Sequence, residues 1–516
     1  MVLVLVMATV TSAQYAGLSL GTAYQLVNLS ADPQTIEVHY YDSNGNEQVA
    51  AKRTFLDVEG NGSRLVIVPK DETSLTSGSY SAVVSSGGPV AGIVNEEFYP
   101  TGSTNAEPPF GSYSASDTGA TDVFLPAVMY NYYGYFTEIF IQNVGTAETV
   151  DVTIEYIPGT INGIVVGTPF TEPAFSIKQY ATVKKSQQAM TQLGAPAGRG
   201  SFTGRFFGAA KIHSSQPVVV IVNEQNITAK KLMAYNGFNT GSSKLISPTA
   251  MRGFYSYYTA LTITNMSASN KACVRLTYFP DLAQSSTLRR VDGTQNFTSV
   301  SKEFVVDPKN ALLRYEGSDS SASQSDLMGT YTRFTGSILI ESFAGTVGGT
   351  ACTAEDLSAI VNVEATAGAS SANQAGSFNA IDATAATNTA VAPVILANYY
   401  GYYTTTVITN TTATDATCTI TYTSGTGTTN GAGLSKGYDR PLDANGTLMI
   451  YEGGSGSDPR SDILKDSAYW GARFIGSAQI VCLDSGSNPV AIAAFVNEEK
   501  NANGIDSMYT MNTIFK

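Results

Sequence analysis

Apolar and polar residues alternate with a period of two along most of the chain. Val150-Asp-Val-Thr-Ile-Glu-Tyr-Ile157, Thr35-Ile-Glu-Val-His-Tyr40 and Cys418-Thr-Ile-Thr-Tyr422 each turn one face to a core and the other to water. Turn chemistry separates these runs, as at Ser43-Asn44-Gly45-Asn46, Gly60-Asn61-Gly62 and Asn445-Gly446. No long segment carries the 3.6-residue period of an amphipathic helix. Small helices are expected only in variable loops, for instance around Asp462–Trp470. About seven or eight short strands in roughly 100–145 residues predict an Ig-like antiparallel β-sandwich.

The pattern occurs four times. A strand ending in Val-Asn appears at Ile93-Val94-Asn95-Glu96, Ile221-Val222-Asn223-Glu224, Ile360-Val361-Asn362-Val363 and Phe495-Val496-Asn497-Glu498. A second Asn closes an earlier alternating strand, at Asn28, Asn143, Asn265 and Asn410. Pro126, Pro248 and Pro393 each lie 17 residues before the last three of these. Between Pro and Asn sits an aromatic block: Tyr132-Tyr133-Gly134-Tyr135-Phe136, Phe254-Tyr255-Ser256-Tyr257-Tyr258 or Tyr399-Tyr400-Gly401-Tyr402-Tyr403. A Gly-small pair opens another strand at Gly208-Ala209, Gly336-Ser337 and Gly476-Ser477. Order and spacing kept over several hundred residues predict an all-β chain of four tandem sandwiches.

We expect domains at 14–98, 125–245, 246–364 and 392–516, in an elongated arrangement with each interior self-contained. The Gly, Ser, Ala, Thr and Asn-rich stretches 99–124 and 365–391 read as linkers. The N-terminal run Met1–Ala13 reads as a secretory signal, too short to span a bilayer; a buried strand is the competing reading. Aligning Asn28 with the repeat puts the Pro equivalent at Thr11, so cleavage after Ala13 would remove part of the first strand of domain 1 and leave the domain incomplete. A strand donated by another copy would then complete it, with Ser507–Phe515 as candidate donor.

Composition narrows the functions. Charged residues are 14% of the 516, and the net charge is −13 with only two His. An acidic chain without a basic stripe excludes nucleic acid as partner. Cys273 and Cys418 each fall eight residues after the strand-closing Asn, and Cys352 and Cys482 lie shortly before the Val-Asn strand of the same unit. Equivalent places in two copies predict Cys273–Cys352 and Cys418–Cys482, and therefore export.

Candidate chemistry is sparse. Ser19 and Ser435 match G-x-S-x-G without the strand–turn–helix that a nucleophile elbow needs. His39 and His213 stand in no repeated pattern. Glu316 with Asp326, and Glu452 with Asp462, lie ten residues apart in Gly/Ser loops. They are weak Ca²⁺ candidates, capping of a helix start being the favoured reading; no other cofactor is expected. Asn95, Asn223, Asn362 and Asn497 are expected to tie a strand end to a turn. Tyr132, Tyr133, Tyr135, Tyr257, Tyr258, Tyr399, Tyr400 and Tyr402 are candidates for stacking on sugar rings or for an assembly interface. Asn28, Asn61, Asn226, Asn265, Asn296, Asn410 and Asn445 head glycosylation triplets.

In its tandem sandwiches and its composition the chain resembles prokaryotic cell-surface proteins of the surface-layer, sheath, pilus-like and adhesin type. The resemblance implies an extracellular, non-catalytic role with no transmembrane segment in the mature chain. The first expectation is a self-assembling subunit of a filament, sheath or surface layer, its partner being itself. The alternative is an adhesin or carbohydrate-binding module whose partners are cell-surface glycans.

Overall fold

The computed structural model describes residues 2–7, 18–76, 78–100, 109–317, 325–365, 374–453, 460–502 and 505–515. The period-two runs become antiparallel strands, and one pairing order recurs in four consecutive chain segments, called repeats 1–4 below. In repeat 1 one sheet runs Val2–Met7, Tyr80–Ser86, Gln34–Tyr41, Arg53–Val58. The facing sheet runs Ser63–Ile67, Leu18–Asn28, Val90–Pro100, Phe110–Ser114. Repeat 4 pairs Ser435–Leu442, Ala416–Ser424, Phe474–Leu483 and Thr389–Ala397, faced by Thr447–Tyr451, Tyr402–Asn410, Ile492–Ala502 and Ile505–Asn512. Repeats 2 and 3 follow the same order, except that Phe206–Asn226 is one strand running through both sheets of repeat 2.

The repeated motifs have identifiable causes. The strand-closing Asn is buried in every repeat and ties a turn. Asn265 donates to Asn270 O at 2.8 Å and Val306 O at 3.0 Å, and accepts from Ser267 N at 3.0 Å. Asn28, Asn143 and Asn410 do the same in their own repeats. Asn28, Asn265 and Asn410 therefore offer no side chain to a glycan, unlike exposed Asn296 and Asn445. The glycine of the Gly-small pair marks a close backbone approach. A Cβ on Gly208, Gly336 or Gly476 would lie 2.1, 1.9 or 2.1 Å from the carbonyl oxygen of Ile157, Phe279 or Thr423. The opening strand bulges opposite this point, around the recurrent Pro. Both expected disulfides are formed, with Cα–Cα distances of 5.3 Å (Cys273–Cys352) and 4.0 Å (Cys418–Cys482).

The expected elongated arrangement and self-contained interiors do not hold. The chain exposes 18788 Å². One compact body of 54.3 kDa exposes roughly 18,000 Å², whereas four separate bodies of a quarter that mass would expose roughly 26,000 Å². The missing surface lies between repeats. The outer face of each second sheet covers the open side of the preceding sandwich and completes its core. Phe140 and Ile221 of repeat 2 join the core of repeat 1, Ala311 and Ile360 of repeat 3 that of repeat 2, and Val407 and Phe495 of repeat 4 that of repeat 3. Ile93 of repeat 1 joins the core of repeat 4, so the series closes into a ring. At that closure Gln25 donates to Pro393 O at 2.8 Å and to Gly476 O at 3.2 Å, and Ser477 donates to Asn61 O at 2.8 Å.

The stretches 99–124 and 365–391, read as linkers, supply the hub of this ring. Phe110–Ser114 and Ala375–Asn379 lie there, and with Lys231–Asn236 and Ile505–Asn512 they form a central bundle in which each strand neighbours those of the adjacent repeats. Asn236 bonds both backbone groups of Ser114 (3.1 and 2.7 Å), and Asn379 bonds both of Asn236 (3.1 and 2.7 Å). Equivalent residues thus meet around a closed circuit, which relates the repeats by rotation about one axis and puts equivalent loops at one end.

The chain ends differ from expectation as well. The expected donor segment is occupied within its own repeat: Ile505–Asn512 pairs with Ile492–Ala502, and Ile514–Phe515 with Thr389–Ala397. Val2–Met7, part of the signal-like run, takes the opening-strand place of repeat 1 beside Tyr80–Ser86. The cleavage position after Ala13 lies outside the described residues.

Candidate binding face

The Asn of the Val-Asn strands, expected to tie a turn, crosses instead to the neighbouring repeat in three of the four. Asn223 reaches Glu96 Oε2 at 2.5 Å, Asn362 reaches Glu224 Oε2 at 2.5 Å, and Asn95 reaches Glu498 Oε2 at 3.5 Å. Burial raises all three carboxyls to about 8, against a partial offset from the facing Asn. At neutral pH each of these three junctions therefore holds a largely neutral acid against an amide. At the fourth junction Val363 takes the place of the Glu, and Asn497 bonds Glu499 of its own strand at 3.1 Å. At the junction of repeats 2 and 3, Tyr135 and Lys231 both donate to Glu364 Oε2 at 2.7 Å.

The Ca²⁺ candidates are turned to donors. Glu316 accepts from Ser325 Oγ, from Asp326 N at 2.8 Å and from Leu327 N at 3.1 Å. Glu452 accepts from Ser461 Oγ at 2.6 Å, Asp462 N at 2.9 Å and Ile463 N at 3.1 Å. Asp326 is held by Arg314 at 2.7 Å, and Asp462 by Arg440. A hard cation needs six or more oxygens, and here N–H groups and guanidinium fill those directions. The Glu residues satisfy backbone N–H groups of a turn, with no helix starting at Asp326–Leu327 and no side-chain cap on the short helix Leu464–Asp466; the Asp residues belong to a pattern that the spacing of the sequence hid. In every repeat a buried Tyr donates to a buried acid paired with a base. Tyr40 meets Glu72 (3.0 Å, with Arg53) and Tyr156 meets Glu172 (2.7 Å, with Lys185). Tyr278 meets Asp326 (2.9 Å) and Tyr422 meets Asp462 (3.1 Å). His39 pairs with Glu47 at 2.6 Å and exposed His213 with Asp122 at 3.0 Å. Ser435 opens an exposed strand, with no helix after it.

The aromatic blocks are two-residue hairpins joining the opening strand to the next. Tyr132 and Tyr135 exchange backbone hydrogen bonds at 3.1 and 2.9 Å, as do Tyr399 and Tyr402 at 3.1 and 3.0 Å. Both turn residues have positive φ: 50° and 85° at Tyr133-Gly134, 48° and 68° at Tyr255-Ser256, 51° and 85° at Tyr400-Gly401. Such a turn prefers Asn-Gly, because a bulky side chain in the left-handed region is strained. A Tyr nevertheless stands there three times, exposed by 55%, 64% and 69%. The other candidates divide. Tyr132 is buried and Tyr258 half-buried, Tyr135 bonds Glu364, and Tyr257, Tyr399 and Tyr402 line clefts between repeats.

Two arginines that the sequence reading left aside complete the face. Arg205 lies over the Tyr133 ring at 4.3 Å and Arg473 over Tyr400 at 5.4 Å. Their signal was an Arg-Phe pair three residues before each conserved glycine: Arg205-Phe206, Arg333-Phe334 and Arg473-Phe474. By the rotational relation of the repeats, the three tyrosine tips share one end of the ring.

No protein-family model matches the sequence, and no curated protein matches it either. Among the described residues, no helix is long and apolar enough to cross a membrane.

Proposed function

We propose that the chain is an exported, non-catalytic surface protein that binds glycans through the end of the ring carrying Tyr133, Tyr255 and Tyr400. The carrying observation is the exposed Tyr in a strained turn position in three repeats. Backbone strain of this kind costs about 1–3 kcal/mol, and an Asn would relieve it, so the ring at the tip is what the position retains. A flat, amphipathic ring beside a guanidinium suits the apolar face and the hydroxyls of a pyranose. Three such tips around one axis favour a multivalent or repetitive ligand, since linked weak contacts reinforce one another. The two disulfides fit an oxidising compartment. The test is the triple variant Tyr133→Ala, Tyr255→Ala, Tyr400→Ala against a panel of insoluble polysaccharides. Retention should fall at least about tenfold with the melting temperature essentially kept; unchanged retention rejects the reading.

A self-assembling subunit is the second reading, favoured by one observation. Val2–Met7 is both signal-like and the opening strand of repeat 1. Removal of that strand would free the edge of Tyr80–Ser86 for a strand from another copy. Intact-mass determination of the exported protein, with negative-stain microscopy, decides it. A cleaved N-terminus together with ordered polymers favours assembly; an uncleaved monomer rejects it.

A further inference from the structure

The four junctions place equivalent residues around equivalent space, and they fill it differently. Between repeats 4 and 1, Glu498 lies beside Asn95, and a cleft of about 160 Å³ is left beneath Tyr399 and Tyr402. Between repeats 3 and 4, Val363 replaces the Glu, and the cavity grows to about 270 Å³. Its walls are aromatic and thioether: Phe254, Tyr257, Tyr451 and Phe495, with Met251 and Met449. Polar groups enter from one side, as Asn497, Glu499 and Arg460. Asn497 Oδ1 is buried without a hydrogen-bond partner, as are Asn95, Asn223 and Asn362 Oδ1 at the other junctions; what differs is that Asn497 lines the larger cavity and that its Nδ2 is committed to Glu499 of its own strand. A cavity of about 150 Å³ lined by apolar side chains already takes benzene, so a six-membered ring fits here with room for a substituent.

We propose that the cavity between repeats 3 and 4 is a binding site for a flat aromatic ring bearing a hydroxyl, a phenol-class ligand or side chain. Three features select this chemistry. The apolar walls exclude a strongly hydrated ligand, and the two Met sulfurs favour an aromatic guest. The free acceptor of Asn497 on the cavity wall can take a donor, which a hydroxyl supplies and a plain hydrocarbon lacks. The cleft is present where Glu498 faces Asn95 and is larger where repeat 3 carries Val363 in place of that Glu, because the shorter apolar side chain withdraws the carboxyl that would otherwise face Asn497.

The experiment titrates p-cresol and toluene into the full-length protein by calorimetry and ligand-observed NMR. One p-cresol should bind per chain, saturably, and toluene at least about tenfold more weakly. Val363→Glu restores the residue of the other junctions and should weaken p-cresol at least about tenfold with the melting temperature kept or raised. Val363→Met, which fills the space with apolar atoms alone, should weaken it likewise and serves if the Glu variant folds poorly. Asn497→Leu should erase the preference for p-cresol over toluene. Absence of saturable binding, binding unchanged by filling at position 363, or equal binding of the two probes overturns the proposal. Tyr255 lines this cavity as well, so the two readings are separated at Tyr133 and Tyr400, which lie outside it: loss of polysaccharide retention in Tyr133→Ala with Tyr400→Ala tests the glycan reading alone, and the variants at 363 and 497 test this one.

Discussion

At the scale of single residues, the repeat is written in side chains with one physical task each. The glycines of the Gly-small pairs are there because a carbonyl oxygen occupies the space a Cβ would need. Gly336→Ala should destabilise the protein by about 1–3 kcal/mol through forced backbone displacement, read as a lower urea midpoint with unchanged slope. The junction carboxyls Glu96, Glu224 and Glu498 titrate near pH 8 when folded and near 4.3 when unfolded. The folded state thus binds more protons between those limits. Their stabilisation is complete below the unfolded value and is lost as pH rises through about 8. Glu→Gln at all three sites should flatten the fall in melting temperature across that window. A variant as pH-sensitive as the parent would show that the junctions are not the titrating elements. The sequence displayed these residues but not their partners, since the partners of Asn95, Asn223 and Asn362 sit in a neighbouring repeat more than a hundred residues away.

At the scale of elements, alternation and turn chemistry were sufficient to place strands, because an antiparallel sheet half-exposed to water imposes period two on its sequence. The cysteine pairing was legible from the equivalent places of Cys273 and Cys418, although their partners differ: Cys482 faces Cys418 on the adjacent strand, while Phe343 faces Cys273 and Cys352 reaches it from the hairpin that follows. Cys273–Cys352 and Cys418–Cys482 close separations of 79 and 64 residues, for which constraint of the unfolded chain is worth about 4 kcal/mol each. Reduction should lower the denaturation midpoint substantially; Cys418→Ser with Cys482→Ser should do so without reductant. The stretches 99–124 and 365–391 were misread because small polar residues signal flexibility in isolation. Here they permit close packing at the hub, where Gly111 would bring a Cβ to 3.1 Å from Leu232. The aromatic hairpins were visible as blocks, yet which of their rings point outward depends on turn geometry, and that needed the backbone angles.

At the scale of the whole molecule, ring closure is the property on which the others depend. A sandwich whose open side is covered by its neighbour cannot keep its core dry alone. A fragment spanning residues 246–391 should therefore lack cooperative unfolding and dispersed amide resonances, while the intact chain melts in one transition. Small-angle scattering should give a radius of gyration close to the roughly 24 Å of a single compact body of this length; a rod of four modules would give a much larger value. The sequence by itself determined the strand content, the fourfold repetition and the disulfide pairs. The first two follow from local periodicity and its recurrence, the disulfide pairs from the equivalent places of Cys273 and Cys418. The tertiary structure alone decided that the repeats close on one another, that the Asn–Glu pairs span junctions, and that one junction is left open at Val363. Those are relations between surfaces far apart along the chain. A covered outer strand face carries the same apolar residues whether its cover is the next repeat, another copy or its own partner sheet.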